Sequence, residues 1–221
     1  MKRRIGRHTW LVIMLLAALA PRHATAQQEL PSPSSTGRVV LVISGKSGRG
    51  AYTPIARRIA ALGYHVVLLY DSLPLVGAQG RALSAAIEQA LKSPHASPGK
   101  VGLVGFSLSG GLVLAVVAAW YPNTARFRRL EDEIDAPALA EHIKVPVVMF
   151  AGTDNYYHFC CVIDKARAIA RAARAKNAPF ELTTYSGIPH GFNLPDPNHS
   201  APATEDAFAR TAAALKLYLV N

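Results

Sequence analysis

The stretch Gly105-Phe106-Ser107-Leu108-Ser109-Gly110-Gly111 is where the chain most plainly carries chemistry. A serine on a tight strand-to-helix turn has its hydroxyl lifted clear of the sheet, ready to attack a carbonyl carbon. Small residues are needed two positions to either side, where the strand and helix backbones nearly touch. Gly105 meets that need, and Ser109, standing where glycine is usual, is small enough to fit. Ser109 is the alternative nucleophile, with Ser107 and Gly111 as its flanks. Ser107 is the better reading, because Gly105 closes the preceding apolar run.

A serine hydroxyl attacks only when a base takes its proton, so a histidine and an orienting carboxylate are required. On a sheet of this type the expected order is serine, acid, histidine, each just past the carboxyl end of a strand. Asp154 follows the apolar run VVMFAG, and His190 sits in SGIPHGF after the last β-like run. His65, His95, His142, His158 and His199 lie elsewhere. Asp164 falls inside a helical pattern, and Asp132 and Asp135 fall in a mixed-charge connector. The triad read from the residues is therefore Ser107, His190 and Asp154.

Acyl transfer also needs N–H donors aimed at the developing oxyanion. The backbone N–H of Leu108 is one candidate. The loop Ser44-Gly45-Lys46-Ser47-Gly48 supplies the other, at Lys46 or Ser47. Gly45-Lys46-Ser47 also resembles the end of a phosphate-binding loop, but the glycine required five positions earlier is Val40. Ser47 and Arg49, with Lys46 beside them, are candidates to meet a polar substrate group, and Tyr156 and Tyr157 to wall the pocket.

These residues need strands and helices to hold them. Short β-branched apolar runs predict strands over residues 38–43, 65–70, 100–105, 145–152 and 180–185. Helical patterns cover 52–62, 80–92, 108–120, 160–176 and 203–219. The run AVVAAWY at 115–121 is assigned to helix, because twelve residues are too few for a crossover helix and a following parallel strand. Strand-helix alternation implies an α/β three-layer sandwich with a mostly parallel sheet and helices on both faces. Active sites in such sheets lie at the carboxyl ends of the strands.

Three segments follow from composition. Residues 1–26 begin with Lys2, Arg3, Arg4 and Arg7, continue through an apolar run at 10–20 and end in Ala24-Thr25-Ala26, the pattern of a cleaved signal peptide. The run is about half the ~20 residues needed to span hydrocarbon, so no stable membrane anchor is expected. Residues 27–37 read as a Pro/Ser-rich flexible linker, and 38–221 as one domain. Over the 221 residues, 24 Lys and Arg against 14 Asp and Glu give a net charge of +10; five of those cations and no acid lie in 1–26, leaving +5 for the rest. Lys165, Arg167, Arg171, Arg174 and Lys176 fall on the outer face of one helix, so solvation explains them and no nucleic-acid partner is inferred. The only cysteines, Cys160 and Cys161, are read either as thiols at a helix start or, in an oxidising compartment, as a vicinal disulfide. Two adjacent ligands without a matching histidine spacing exclude a metal site there.

Taken together, GFSLSGG, a strand followed by GTD, and IPHGF before a final helix resemble the dienelactone hydrolase family of α/β-hydrolases, across roughly residues 38–219. The resemblance implies Ser107 as nucleophile, His190 as base, Asp154 as orienter, and neither a metal nor an organic cofactor. It departs at the nucleophile, since the dienelactone enzymes proper carry cysteine where Ser107 stands. The expected function is hydrolysis of small carboxylic esters or lactones by an exported enzyme. The alternative is a non-catalytic exported binding protein on the same scaffold.

Overall fold

The computed structural model describes residues 27–70, 79–107, 109–110, 117–120, 122, 140–141, 143–157 and 161–219. Its strands are β1 (Gln27–Leu30), β2 (Gly37–Ile43), β3 (His65–Leu69), β4 (Ala96–Phe106), β5 (Val117–Trp120), β6 (Val147–Gly152) and β7 (Phe180–Tyr185). They form one sheet in the order β1-β3-β2-β4-β5-β6-β7. Every neighbouring pair is parallel except β1 with β3. The described helices are α1 (Gly48–Ala61), α2 (Gln79–Leu91), α3 (Ile163–Ala175) and α4 (Ala201–Leu219).

The side-chain alternation of each strand sorts the core into two faces. Val40, Val42, Val66, Leu68, Val104 and Phe106 pack with Ile55 and Ile59 of α1 and with Ala207 and Leu215 of α4. On the other face, Val39, Leu41, Ile43, Val67 and Leu69 meet Ala86 and Ala90 of α2. Farther along that face, Val147 and Met149 meet Ala166 and Ile169 of α3. Strands buried on both faces read as continuous apolar runs, which is why β2, β3 and β6 were legible. The three-layer α/β sandwich expected from strand-helix alternation is the observed architecture. The basic residues of α3 are exposed, opposite the buried Ala166, Ile169 and Ala173.

Two expectations need correction. Val117–Trp120 is not helix: it pairs with β4 on one side, from Val104↔Ala118 to Phe106↔Trp120, and with β6 on the other. A four-residue strand flanked on both sides satisfies its backbone without an amphipathic pattern. A continuous apolar run such as AVVAAWY does not distinguish that state from helix. The rest of the expected helix, Leu108 and 111–116, lies outside the described residues, as does the signal segment 1–26. The second correction concerns the lead-in at 27–37. Gln27–Leu30 is an antiparallel edge strand on β3, in register Gln27↔Leu69 to Leu30↔Val66. Glu29 secures it, accepting a hydrogen bond from the Ser93 hydroxyl at 2.9 Å and lying 3.5 Å from the buried His65 Nε2. Burial holds the His65 imidazole below its ordinary pKa.

Cys161 is buried and disulfide-bonded. The other cysteine, Cys160, lies outside the described residues.

The closing helix is fastened at both flanks. Arg58 of α1 donates to both carboxylate oxygens of Glu205, at 2.8 and 2.6 Å. Asp206 accepts from Arg210 Nε and from the Tyr185 hydroxyl of β7, both at 2.8 Å. The Arg210 bond, then the Tyr185 bond, holds the Asp206 carboxyl below the usual carboxylate range. Leu215 packs on the bare backbone of Gly102 in β4, where a first side-chain carbon would come within 2.9 Å of it. Leu215→Ala, at a site with no exposure, is expected to lower the unfolding free energy by about 2–5 kcal/mol in urea titration. A loss below about 1 kcal/mol would contradict this packing.

Candidate active site

Ser107 follows the last residue of β4 and adopts φ +51, the left-handed region that L residues other than glycine seldom occupy. Two short-range bonds close the turn: Ser109 N–H donates to the Phe106 carbonyl at 3.0 Å, and Gly110 N–H to the Ser107 carbonyl at 3.1 Å. A strained backbone of this kind persists only where its surroundings over-determine it. The tight serine turn anticipated from GFSLSGG is present.

The loop after β2 runs beside it. A first side-chain carbon on Gly45 would lie 3.1 Å from Ser107 Cβ and 2.5 Å from the Tyr52 hydroxyl, so only glycine fits there. Ser109 Oγ donates to the Ser44 carbonyl at 2.7 Å and is buried. The alternative nucleophile is thus turned inward, where it ties the elbow to this loop. Lys46, Ser47 and Arg49 are exposed on the same segment, and the Arg49 guanidinium lies 5.2 Å over the Tyr70 ring. Leu108, the other expected oxyanion donor, lies outside the described residues.

His190 arrives from beyond β7. Its loop is anchored by the fully buried Phe192, whose carbonyl accepts from the Ser200 N–H and the Thr204 hydroxyl, both at 2.9 Å. The imidazole Nε2 is 2.8 Å from Ser107 Oγ. On the opposite side, Nδ1 is 3.1 Å from Asn155 Oδ1. One neutral tautomer satisfies both contacts: Nδ1–H donates to the amide oxygen, and Nε2 accepts the serine proton.

The partner at Nδ1 therefore differs from the one expected. The Asp154 side chain is exposed, and its carboxylate accepts from the Thr153 hydroxyl at 3.0 Å. The main chain dictates this. Thr153 N–H donates to the Tyr185 carbonyl at 2.9 Å and Asp154 N–H to the Ile188 carbonyl at 3.2 Å, while Gly187 N–H donates to Thr153 Oγ1 at 2.8 Å. Gly152 abuts the Ile188 carbonyl so closely that no side chain would fit. Thr153 and Asp154 form a turn, and the chain re-enters at Asn155, which is only 1% exposed. Residue type favoured the carboxylate in sequence. The signal for Asn155 was the turn length, since a two-residue turn brings the third side chain back inward.

Tyr157 stacks on His190 with ring centroids 4.7 Å apart and planes 10° from parallel. Tyr156 is 66% exposed. Among the described residues, no group of three His, Cys, Asp or Glu side chains is arranged to hold a metal ion. None of the described helices is long and apolar enough to cross a membrane.

A model of the dienelactone hydrolase family matches residues 75–219. A search of curated proteins finds no match. Among solved structures, a candidate dienelactone hydrolase from Klebsiella pneumoniae subsp. pneumoniae is similar at a TM-score of 0.67 and 16% identity, over 87% of this chain and 100% of that one. Esterase 2 of the planctomycete Thermogutta terrifontis, with propionate bound, is similar at 0.67 and 14% identity, over 88% and 90%. The same esterase phosphorylated by paraoxon is similar at 0.67 and 16% identity, over 88% and 90%. At these identities the likeness shows a shared fold.

The inward Ser109 hydroxyl generates a stability test. Ser109→Ala strips the buried Ser44 carbonyl of its donor and is expected to cost about 1–3 kcal/mol in denaturant unfolding. An unchanged midpoint would contradict a structural role for Ser109.

Proposed function

The chain belongs to the dienelactone hydrolase family and is a carboxylic ester hydrolase, and on that premise we propose that it cleaves small esters or lactones through an acyl-enzyme on Ser107. The observation that carries the reading is the Ser107 hydroxyl, on a left-handed turn, 2.8 Å from His190 Nε2. Ser107 Oγ bonds to the carbonyl carbon as His190 takes its proton, and the carbonyl electron pair moves onto oxygen. The tetrahedral intermediate collapses, the C–O bond to the alcohol breaks, and His190 returns the proton to the leaving oxygen. Water, deprotonated by the same imidazole, then releases the acid and restores Ser107.

The Leu108 N–H and the Lys46 backbone are the proposed oxyanion donors, with Ser47, Arg49, Tyr156 and Tyr157 as the substrate-facing group. Support for small acyl groups comes from the Thermogutta esterase with bound propionate, and support for a serine-type nucleophile from its phosphorylation by paraoxon. No metal or organic cofactor takes part in this scheme, and nucleic acid has no role in it. The N-terminal pattern supports export, with the mature chain starting at Gln27; an intact mass of the native exported protein that includes Met1 would exclude this.

Kinetics on p-nitrophenyl acetate test the mechanism. Ser107→Ala and His190→Ala are each expected to lower kcat about 10⁴–10⁶-fold, and the double variant to lose little more, because the pair acts as one unit. Activity should fall on the acid side of a pH profile as the base protonates and can no longer take the serine proton. Full activity in Ser107→Ala would overturn the proposal. A wild type inert on all esters would favour the non-catalytic binding role.

A further inference from the structure

We propose that Asn155, a neutral amide, is the positioning residue for His190, and that the Asp154 carboxylate has no part in the proton relay. The inference rests on the reading of Ser107 and His190 as the hydrolytic pair. It goes beyond that reading by assigning the third member and its charge.

Three observations carry it. Asn155 Oδ1 is the group 3.1 Å from His190 Nδ1, on the side of the ring away from Ser107. Asn155 is 1% exposed, and its Nδ2 is buried with no hydrogen-bond partner among the described residues. An unsatisfied buried donor works against folding. A polar side chain held inward at that cost, with its oxygen on the base, is placed for what the oxygen does. Finally, Asp154 is fixed facing outward by the main-chain bonds of its turn, with its carboxylate on Thr153 Oγ1. To reach Nδ1 it would have to leave Thr153 Oγ1 and displace Asn155 Oδ1.

An amide oxygen can do half of what a carboxylate does. It accepts Nδ1–H and so fixes the tautomer that leaves Nε2 free to take the serine proton. It brings no negative charge to the imidazolium that forms, so the protonated base is less stabilised than beside a carboxylate. Among the described residues, the following groups lie on the ring or on the loops around it. Tyr157 lies flat on it, and Ser107 meets Nε2. Asp196 belongs to the turn after Gly191, where its Oδ2 is 3.9 Å from a first side-chain carbon on that glycine. Asp154 faces outward, and Lys46 and Arg49 are exposed on the loop after β2.

The test compares wild type, Asn155→Asp, Asn155→Ala and Asp154→Ala, with kcat/KM for p-nitrophenyl acetate followed from pH 5 to 9. The ¹⁵N resonances of the His190 ring are titrated in parallel. Asn155→Asp should remain active and move both the acid limb and the His190 titration up by about 1–3 pH units. Asn155→Ala should lower kcat about 10²-fold through misorientation, and Asp154→Ala should leave kcat within about threefold and the titration in place. Loss of activity in Asp154→Ala with a lowered His190 titration, and an unmoved titration in Asn155→Asp, would overturn the proposal. The ring titration reads the Asn155 contact even if ester turnover is absent, so failure of the serine mechanism and failure of this assignment give different results. If Asn155→Ala does not fold, the isosteric Asn155→Asp still decides.

Discussion

The backbone of Ser107 is held in the left-handed region, and the rest of the site is arranged around that constraint. A non-glycine residue there costs roughly 1–3 kcal/mol, so the turn lasts only if its two ends cannot move. β4 supplies one end, hydrogen-bonded to β2 on one side and to β5 on the other. The Ser109 hydroxyl supplies the other, reaching the Ser44 carbonyl beneath the loop after β2. Gly45 lets that loop come within van der Waals reach of Ser107. Turn, strand and loop thus form one rigid unit, which is what a nucleophile needs if its hydroxyl is to meet a base at 2.8 Å without searching for it.

His190 and Asn155 come from a second unit. The loops after β6 and β7 are sewn together through Thr153, Asp154 and Gly187, and the His190 loop is pinned beneath α4 by Phe192. The two units meet only because β4, β5 and β6 lie side by side, all parallel, with their carboxyl ends on one edge. That edge is where a parallel sheet gathers residues distant in sequence. The short β5 is therefore a structural requirement of the site as well as a strand of the sheet.

The places of Ser107 and His190 past strand ends were legible for two different reasons: β4 ends in an apolar, buried run, whereas β7, Phe-Glu-Leu-Thr-Thr-Tyr, is only partly buried and reads as a strand from its aromatic and β-branched residues. The contact of Ser107 with His190 across 83 positions follows from topology. β5 was not legible, since four apolar residues carry no periodicity that separates strand from helix. β1 was hidden for the opposite reason: Gln-Gln-Glu-Leu has no apolar run, and it becomes a strand only through the exposed edge of β3 and the anchoring of Glu29. At the third position of the site the chemistry of residue types pointed to Asp154, whereas the hydrogen bonds of a two-residue turn decide which side chain faces inward. Backbone geometry outranked side-chain identity there, and an amide oxygen rather than a carboxylate stands at His190 Nδ1.

Covalent labelling by a fluorophosphonate probe addresses the central claim most directly, because the probe reacts only with a serine whose proton is being taken and whose developing oxyanion is being met. Wild-type protein treated with the probe, digested and analysed by peptide mass spectrometry should carry one adduct, on Ser107, and His190→Ala should label far more slowly. An adduct on Ser109, or none under conditions that label a control serine esterase, would contradict the account.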